Sequence, residues 1–147
     1  MVRTTALLGS PARTAAAGAA AVTLAAAGVL ATAAPASAAN YNGACGSGYT
    51  LVDSAPVRTL TGTTLGVLFL TYNTSNGYKC AVTVSNVGRP VPMAVGIKRS
   101  SAGTWVFDKG TYTSYAGPVY TYARGQCVDF DGVIDSARKR LVNTNCK

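Results

Sequence analysis

Four cysteines, Cys45, Cys80, Cys127 and Cys146, do more than any other feature to limit what this chain can fold into. All four fall in the last three-quarters of a 147-residue chain. An even number of cysteines in a short exported domain reads as a disulfide framework. Zinc, the competing use, asks for closely paired cysteines or for histidines. The chain has no histidine and no Cys-x-x-Cys pair. Four cysteines allow three connectivities, and sequence alone does not choose among them. The expectation adopted is sequential pairing: Cys45–Cys80 would tie an amino-terminal strand to a hairpin, and Cys127–Cys146 would pin the carboxyl terminus. Each bridge contributes about 2–4 kcal/mol against unfolding, a large share of a domain's usual margin of about 5–15 kcal/mol.

Such bridges need an oxidising compartment, and the first residues carry an export signal. Arg3 and Arg13 form a basic entry, residues 14–34 are uncharged and mostly alanine, and Pro35, Ala36, Ser37 and Ala38 follow. Small residues at −3 and −1 suit signal peptidase cutting before Ala39. A transmembrane anchor would need a comparable length, but alanine drives insertion poorly beside Leu, Ile, Phe and Val. Residues 1–38 are therefore expected to be a cleaved secretory signal peptide. Residues 39–147 are expected to be one β-rich extracellular domain, with no membrane association after cleavage. Arg3 and Arg13 leave with the leader, so the net charge falls from +8 to about +6. No adjacent arginines mark the twin-arginine route.

The exported part reads as strands. Residues 65–72 are apolar on both faces and suit a central strand, and a turn cluster with Asn76-Gly77 follows. Residues 78–85 then alternate, with Cys80, Val82 and Val84 on one face, completing a hairpin. Val91, Met93, Val95 and Ile97 repeat at period two. Pro92 lies among them and cannot donate to a ladder, so this strand should sit at an edge or begin its pairing there. Trp105 and Phe107 mark another strand. Residues 119–122 and 126–130, around the turn Arg124-Gly125, suggest a second hairpin. The one helix-like stretch, 134–142, is short and poorly patterned. Together these predict an all-β fold: a small antiparallel β-sandwich or barrel of about seven or eight strands, stapled by two disulfides.

Missing residue types narrow the chemistry. Without histidine, Ser-His-Asp and Cys-His mechanisms are excluded. There is no glutamate, and the acids are Asp53, Asp108, Asp129, Asp131 and Asp135. Asp129 and Asp131 would share a strand face, the minimum for a glycosidase pair, and with Asp135 they could offer oxygens to calcium. The spacing is not that of an EF-hand. Asp131-Gly132 also reads as a turn, and Asp129 as a solvated strand residue. The expectation is no catalytic residue, no metal site and no cofactor.

Binding is the remaining possibility. Lys98-Arg99 and Arg138, Lys139 and Arg140 are the densest positive groups, and a basic exported protein adheres to polyanions by its field. Nucleic acid is not expected as a partner, because no binding motif is present. Tyr112, Tyr115, Tyr120 and Tyr122 cluster around Gly117-Pro118. Pointing inward they are core filler, the reading preferred on sequence. Pointing outward they are an aromatic binding patch.

Residues 112–130, holding those tyrosines with Cys127 and Phe130, and residues 40–49, where Cys45 precedes Gly46, Gly48 and Tyr49, resemble the two ends of the spore-associated protein A family of filamentous actinomycetes. Residues 67–73 and 79–84 resemble its middle. Phe130, where that family has Trp, and the basic 138–140 stretch, where it has a Gly-rich tail, depart from the pattern. The resemblance implies a small secreted, non-enzymatic protein of spores or aerial hyphae, with spore or cell-wall components as partners; the basic charge adds anionic polysaccharide to the expected partners. It brings no catalytic residue and no cofactor. A cell-wall carbohydrate-binding module is the alternative, followed by a secreted inhibitor or antimicrobial protein.

Overall fold

Alternation in the sequence becomes eight antiparallel strands: β1 (Thr50–Arg58), β2 (Thr64–Tyr72), β3 (Tyr78–Ser85), β4 (Val91–Arg99), β5 (Val106–Tyr112), β6 (Tyr115–Tyr122), β7 (Val128–Ile134) and β8 (Ala137–Thr144). The structure, a computed structural model, describes residues 39–101 and 103–147. The expected leader at residues 1–38 lies outside them. Among the described residues there is no helix. Two four-stranded sheets, ordered β1-β2-β3-β6 and β5-β4-β7-β8, face each other as a sandwich.

Period two decides which side chains enter the interior. Val91, Met93, Val95 and Ile97 of β4 and Val128, Phe130 and Ile134 of β7 meet Leu68 and Leu70 of β2, Ala81 of β3 and Val119 of β6. Phe130 is fully buried at the centre, and truncating it to alanine would cost about 3–5 kcal/mol. The β2–β3 hairpin forms as expected, closed by Asn73. Its buried side chain accepts hydrogen bonds from the Ser75 and Asn76 amides, and its carbonyl accepts one from Gly77.

One expectation needs correction, and two readings are resolved. Of the two alternatives for the strand containing Pro92, the edge position fails, since β4 is interior between β5 and β7, and the other holds: pairing with β7 begins beside the proline. Proline is tolerated because it stands at the start of β4, one residue before pairing with β7 begins at Met93. Residues 119–122 and 126–130 do not make a hairpin. β6 pairs with β3 and β7 with β4 and β8, so the turn at Arg124-Gly125 carries the chain from one sheet to the other. The stretch 134–142, too poorly patterned for a helix, is a tight turn at Asp135, in the left-handed region at φ 52°, followed by β8, in keeping with the all-β reading. Leu141 and Ala137 face the core opposite Phe130 and Ile134 while Arg138 and Arg140 face out, a period no helix would satisfy.

The disulfides join Cys45 to Cys80 and Cys127 to Cys146, the sequential pairing. Cys45–Cys80 holds residues 39–49 against the outer face of the first sheet, where Cys45, Cys80 and Val82 make a second buried cluster with Tyr41, Ala44, Tyr49 and Val84. The alternating apolar face of β3 is thus covered by the amino-terminal segment. The opposite face, Lys79, Ala81 and Thr83, points between the sheets.

Candidate functional site

The outer face of the second sheet gathers the side chains best suited to a ligand. Antiparallel register sets them in rows across four strands. One row runs Phe107, Gly96, Asp131, Arg140, and its neighbour runs Lys109, Ala94, Val133, Arg138. Lys98 and Asp129 are paired in the next row. Small residues on β4 leave a shallow depression of about 250 Å³, floored by Ala94 and Gly96 and walled by Phe107, Lys109 and Arg138.

The rings of Trp105 and Phe107 stack with centroids 5.3 Å apart at 18°, on the outer side of the edge strand. Trp105 is half-buried, and Phe107 is 42% exposed. Cations stand over both rings. Lys109 Nζ is 4.5 Å from the Phe107 centroid, the Arg140 guanidinium 4.8 Å from that of Trp105, and Lys98 Nζ 5.6 Å from Trp105. Such geometry is attractive in its own right, and it also sets positive charge beside an apolar surface.

Asp129 and Asp131 lie beneath these cations. Both are buried in the middle of β7, correcting their reading as a solvated residue and a turn. Asp131 accepts from Arg138, through Nε at 3.0 Å to each oxygen and through Nη2, and from Arg140 Nη2 at 2.8 Å. Asp129 accepts from Ser100 Oγ at 2.6 Å and the Asn143 amide at 2.8 Å, and pairs with Lys98 at 3.1 Å. Burial pushes both carboxyls up, but hydrogen bonds and nearby positive charge outweigh it. For Asp131 these come from Arg138 and Arg140; for Asp129, from Ser100, Asn143 and Lys98. Each is held below the ordinary aspartate value of 3.8. A glycosidase acid needs the opposite shift. Asp135 is exposed at the β7–β8 turn and does not join them. Among the described residues no group of three His, Cys, Asp or Glu could hold a metal ion.

Of the sequence candidates, Arg138 and Arg140 share this face, while Lys139 pairs with Gly132 on the other side of the edge strand. The tyrosines do not make one patch, and the filler reading fails for three of them. Tyr115, Tyr120 and Tyr122 face outward from the first sheet, at 40%, 37% and 45% exposure. Tyr120 leans edge-on against Tyr49 and its hydroxyl donates to the Cys45 carbonyl, so part of its surface secures the amino-terminal segment, while Tyr122 leans edge-on against Tyr78 of β3. Only Tyr112 packs against the interior, its hydroxyl donating to Asp108 at 2.7 Å. That bond holds the Tyr112 hydroxyl above its ordinary range. Sequence reasoning took Trp105 and Phe107 as strand markers only. Part of the signal was available, the alternation of Trp105, Phe107 and Lys109, but their placement over the small Gly96 and Ala94 comes from the register.

Compared with known proteins, the chain is 43% identical over 126 residues to spore-associated protein A of Streptomyces coelicolor, covering 81% of this chain and 79% of that protein. No family model matches the chain, and no solved structure matches it significantly.

Proposed function

The chain belongs to the spore-associated protein A family, and on that premise we propose that it is a small, exported, non-enzymatic protein of the spore or hyphal surface. The relative's name and the two disulfides support an extracellular or surface location. The observation that carries the non-enzymatic part is the state of Asp131. The acid best placed for chemistry is held as a carboxylate by two arginines, and its neighbour Asp129 is similarly engaged. Neither is poised to give or take a proton near neutral pH. The stacked Trp105–Phe107 pair favours a second reading, a carbohydrate-binding module.

Fractionating sporulating and vegetative cultures with an antibody to residues 39–147 tests the proposal. The protein is expected in the spore and aerial-hypha surface fraction, disulfide-bonded. Recovery as a reduced cytosolic protein, or turnover of a substrate lost in Asp131→Asn while the variant stays folded, would overturn it.

A further inference from the structure

We infer that the outer face of the second sheet is a binding site for an acidic polysaccharide, with Trp105 and Phe107 packing on sugar rings while Lys109, Arg138 and Arg140 take its carboxylates. The inference names a partner for the surface protein proposed above and rests on that reading only for where the two would meet.

Four cations and two aspartates occupy this face, a surplus of two positive charges. Asp129 and Lys98 are both largely covered and cancel each other, but Asp131 is buried while its partners are not: the Arg138 and Arg140 side chains are 55% and 42% exposed. Asp131 therefore orients two guanidiniums whose remaining N–H donors stay available to solvent or ligand. Holding them in place beforehand lowers the ordering cost of binding. Lys109 is exposed and has no ion pair among the described residues.

The aromatic pair decides the class of anion. Phe107, 42% exposed, with the half-buried Trp105 stacked beside it, offers an apolar surface to the C–H face of a pyranose, which a simple polyphosphate lacks. The two rings stack on each other at 5.3 Å, so no slot lies between them for a nucleic-acid base to enter. A neutral glycan would cover the cations without discharging them, a desolvation cost with no return. A linear uronic-acid polymer meets both demands, alternating apolar ring faces with carboxylates.

Trp105 is the chain's single tryptophan, so its fluorescence reports on this face directly. The disulfide-intact protein is titrated with polygalacturonate, and with dextran, polyphosphate and single-stranded DNA at equal salt. Polygalacturonate is expected to shift Trp105 emission saturably and to bind more tightly than the other three. Phe107→Ala should weaken it about tenfold and Lys109→Ala about fivefold, while Arg89→Ala, an exposed residue elsewhere giving the same charge change, alters it less than about twofold. Circular dichroism checks folding. Should Phe107→Ala unfold, Lys109→Ala carries the comparison, since its side chain is exposed.

Equal losses for Lys109→Ala and Arg89→Ala would mean plain charge attraction and overturn the site. So would binding that leaves Trp105 emission unchanged, or binding of dextran, polyphosphate or DNA as tight as polygalacturonate. A protein found on spores that ignores the glycan sinks only the site. A glycan binder absent from spores sinks only the localisation.

Discussion

The Phe107 ring lies across Gly96, where an added Cβ would stand 2.4 Å from Phe107 Cε1 and 3.2 Å from Trp105 Cε3. Glycine on this interior strand is what lets both rings come this close to it. Gly96→Ala must push the ring away, and an exposed ring on an edge strand can swing at small cost. The substitution is expected to lower thermal stability by less than about 1 kcal/mol, or roughly 4–8 °C at most. Affinity for polygalacturonate should still fall several-fold. Titration and thermal melts on one sample check it, and a stability loss with unchanged affinity would make the ring mere packing.

Asp131 and Asp129 set the acid limit of the fold. A carboxyl whose folded pKa is depressed contributes stability that is complete above its unfolded value and is lost as pH falls through the folded one. Both residues are shifted down from 3.8, so the melting temperature should hold from neutrality to about pH 5 and fall below about pH 4. Asp131→Asn should cost about 1–3 kcal/mol at pH 7, by leaving Arg138 and Arg140 without their anion. It should also flatten the acid decline. Parallel pH profiles for variant and parent would assign the decline elsewhere.

The strands and the face of the candidate site were unequally legible, for physical reasons. Period two in 91–97 reports burial directly, so β4 could be read residue by residue, and the apolar run 65–72 marked β2 as central. Strand β3 is buried on both faces, its alternating side under the amino-terminal segment rather than between the sheets. The second hairpin could not be read this way. Alternation over residues 119–122 does not reveal whether a turn returns a strand to its neighbour or carries it to the facing sheet, because that depends on which strand takes the backbone bonds. Here Val119 and Tyr120 find Ala81 and Cys80 of β3. Asp129 and Asp131 looked solvated because a carboxylate's burial depends on cations brought by other strands, Lys98 from β4 and Arg138 and Arg140 from β8. Trp105 and Phe107 became a platform only through register with Gly96.

Lys79 is the charged residue the alternation hides. It points between the sheets, nearly inaccessible, and Nζ donates to the carbonyls of Gln126, at 2.7 Å, and Asn145. Those residues precede Cys127 and Cys146, so one ammonium ties together both arms of the carboxyl-terminal disulfide. Burial lowers the Lys79 pKa, but losing the bonds leaves two carbonyls without their donor. Lys79→Met, of similar length, is expected to destabilise by about 1–3 kcal/mol and to speed carboxypeptidase trimming from Lys147. Unchanged trimming and melting would show that the clamp contributes nothing.

Thr83 is the reverse case, a polar group whose removal should help. Its side chain is fully buried on the inner face of β3, and Oγ1 has no hydrogen-bond partner among the described residues. The space around it is tight: a Cβ placed on Gly132 would come within 2.6 Å of that oxygen. An orphaned buried hydroxyl carries a desolvation penalty of about 1–3 kcal/mol. Valine keeps the branched shape at Cβ and needs no partner, though a methyl is slightly larger than the oxygen it replaces. Thr83→Val is therefore expected to stabilise by about 1 kcal/mol and raise the melting temperature by roughly 4 °C. Thr83→Ser keeps the hydroxyl and loses the methyl, so it should destabilise. If valine instead lowers stability while serine leaves it unchanged, the hydroxyl is bonded in solution and the penalty assigned to it is wrong.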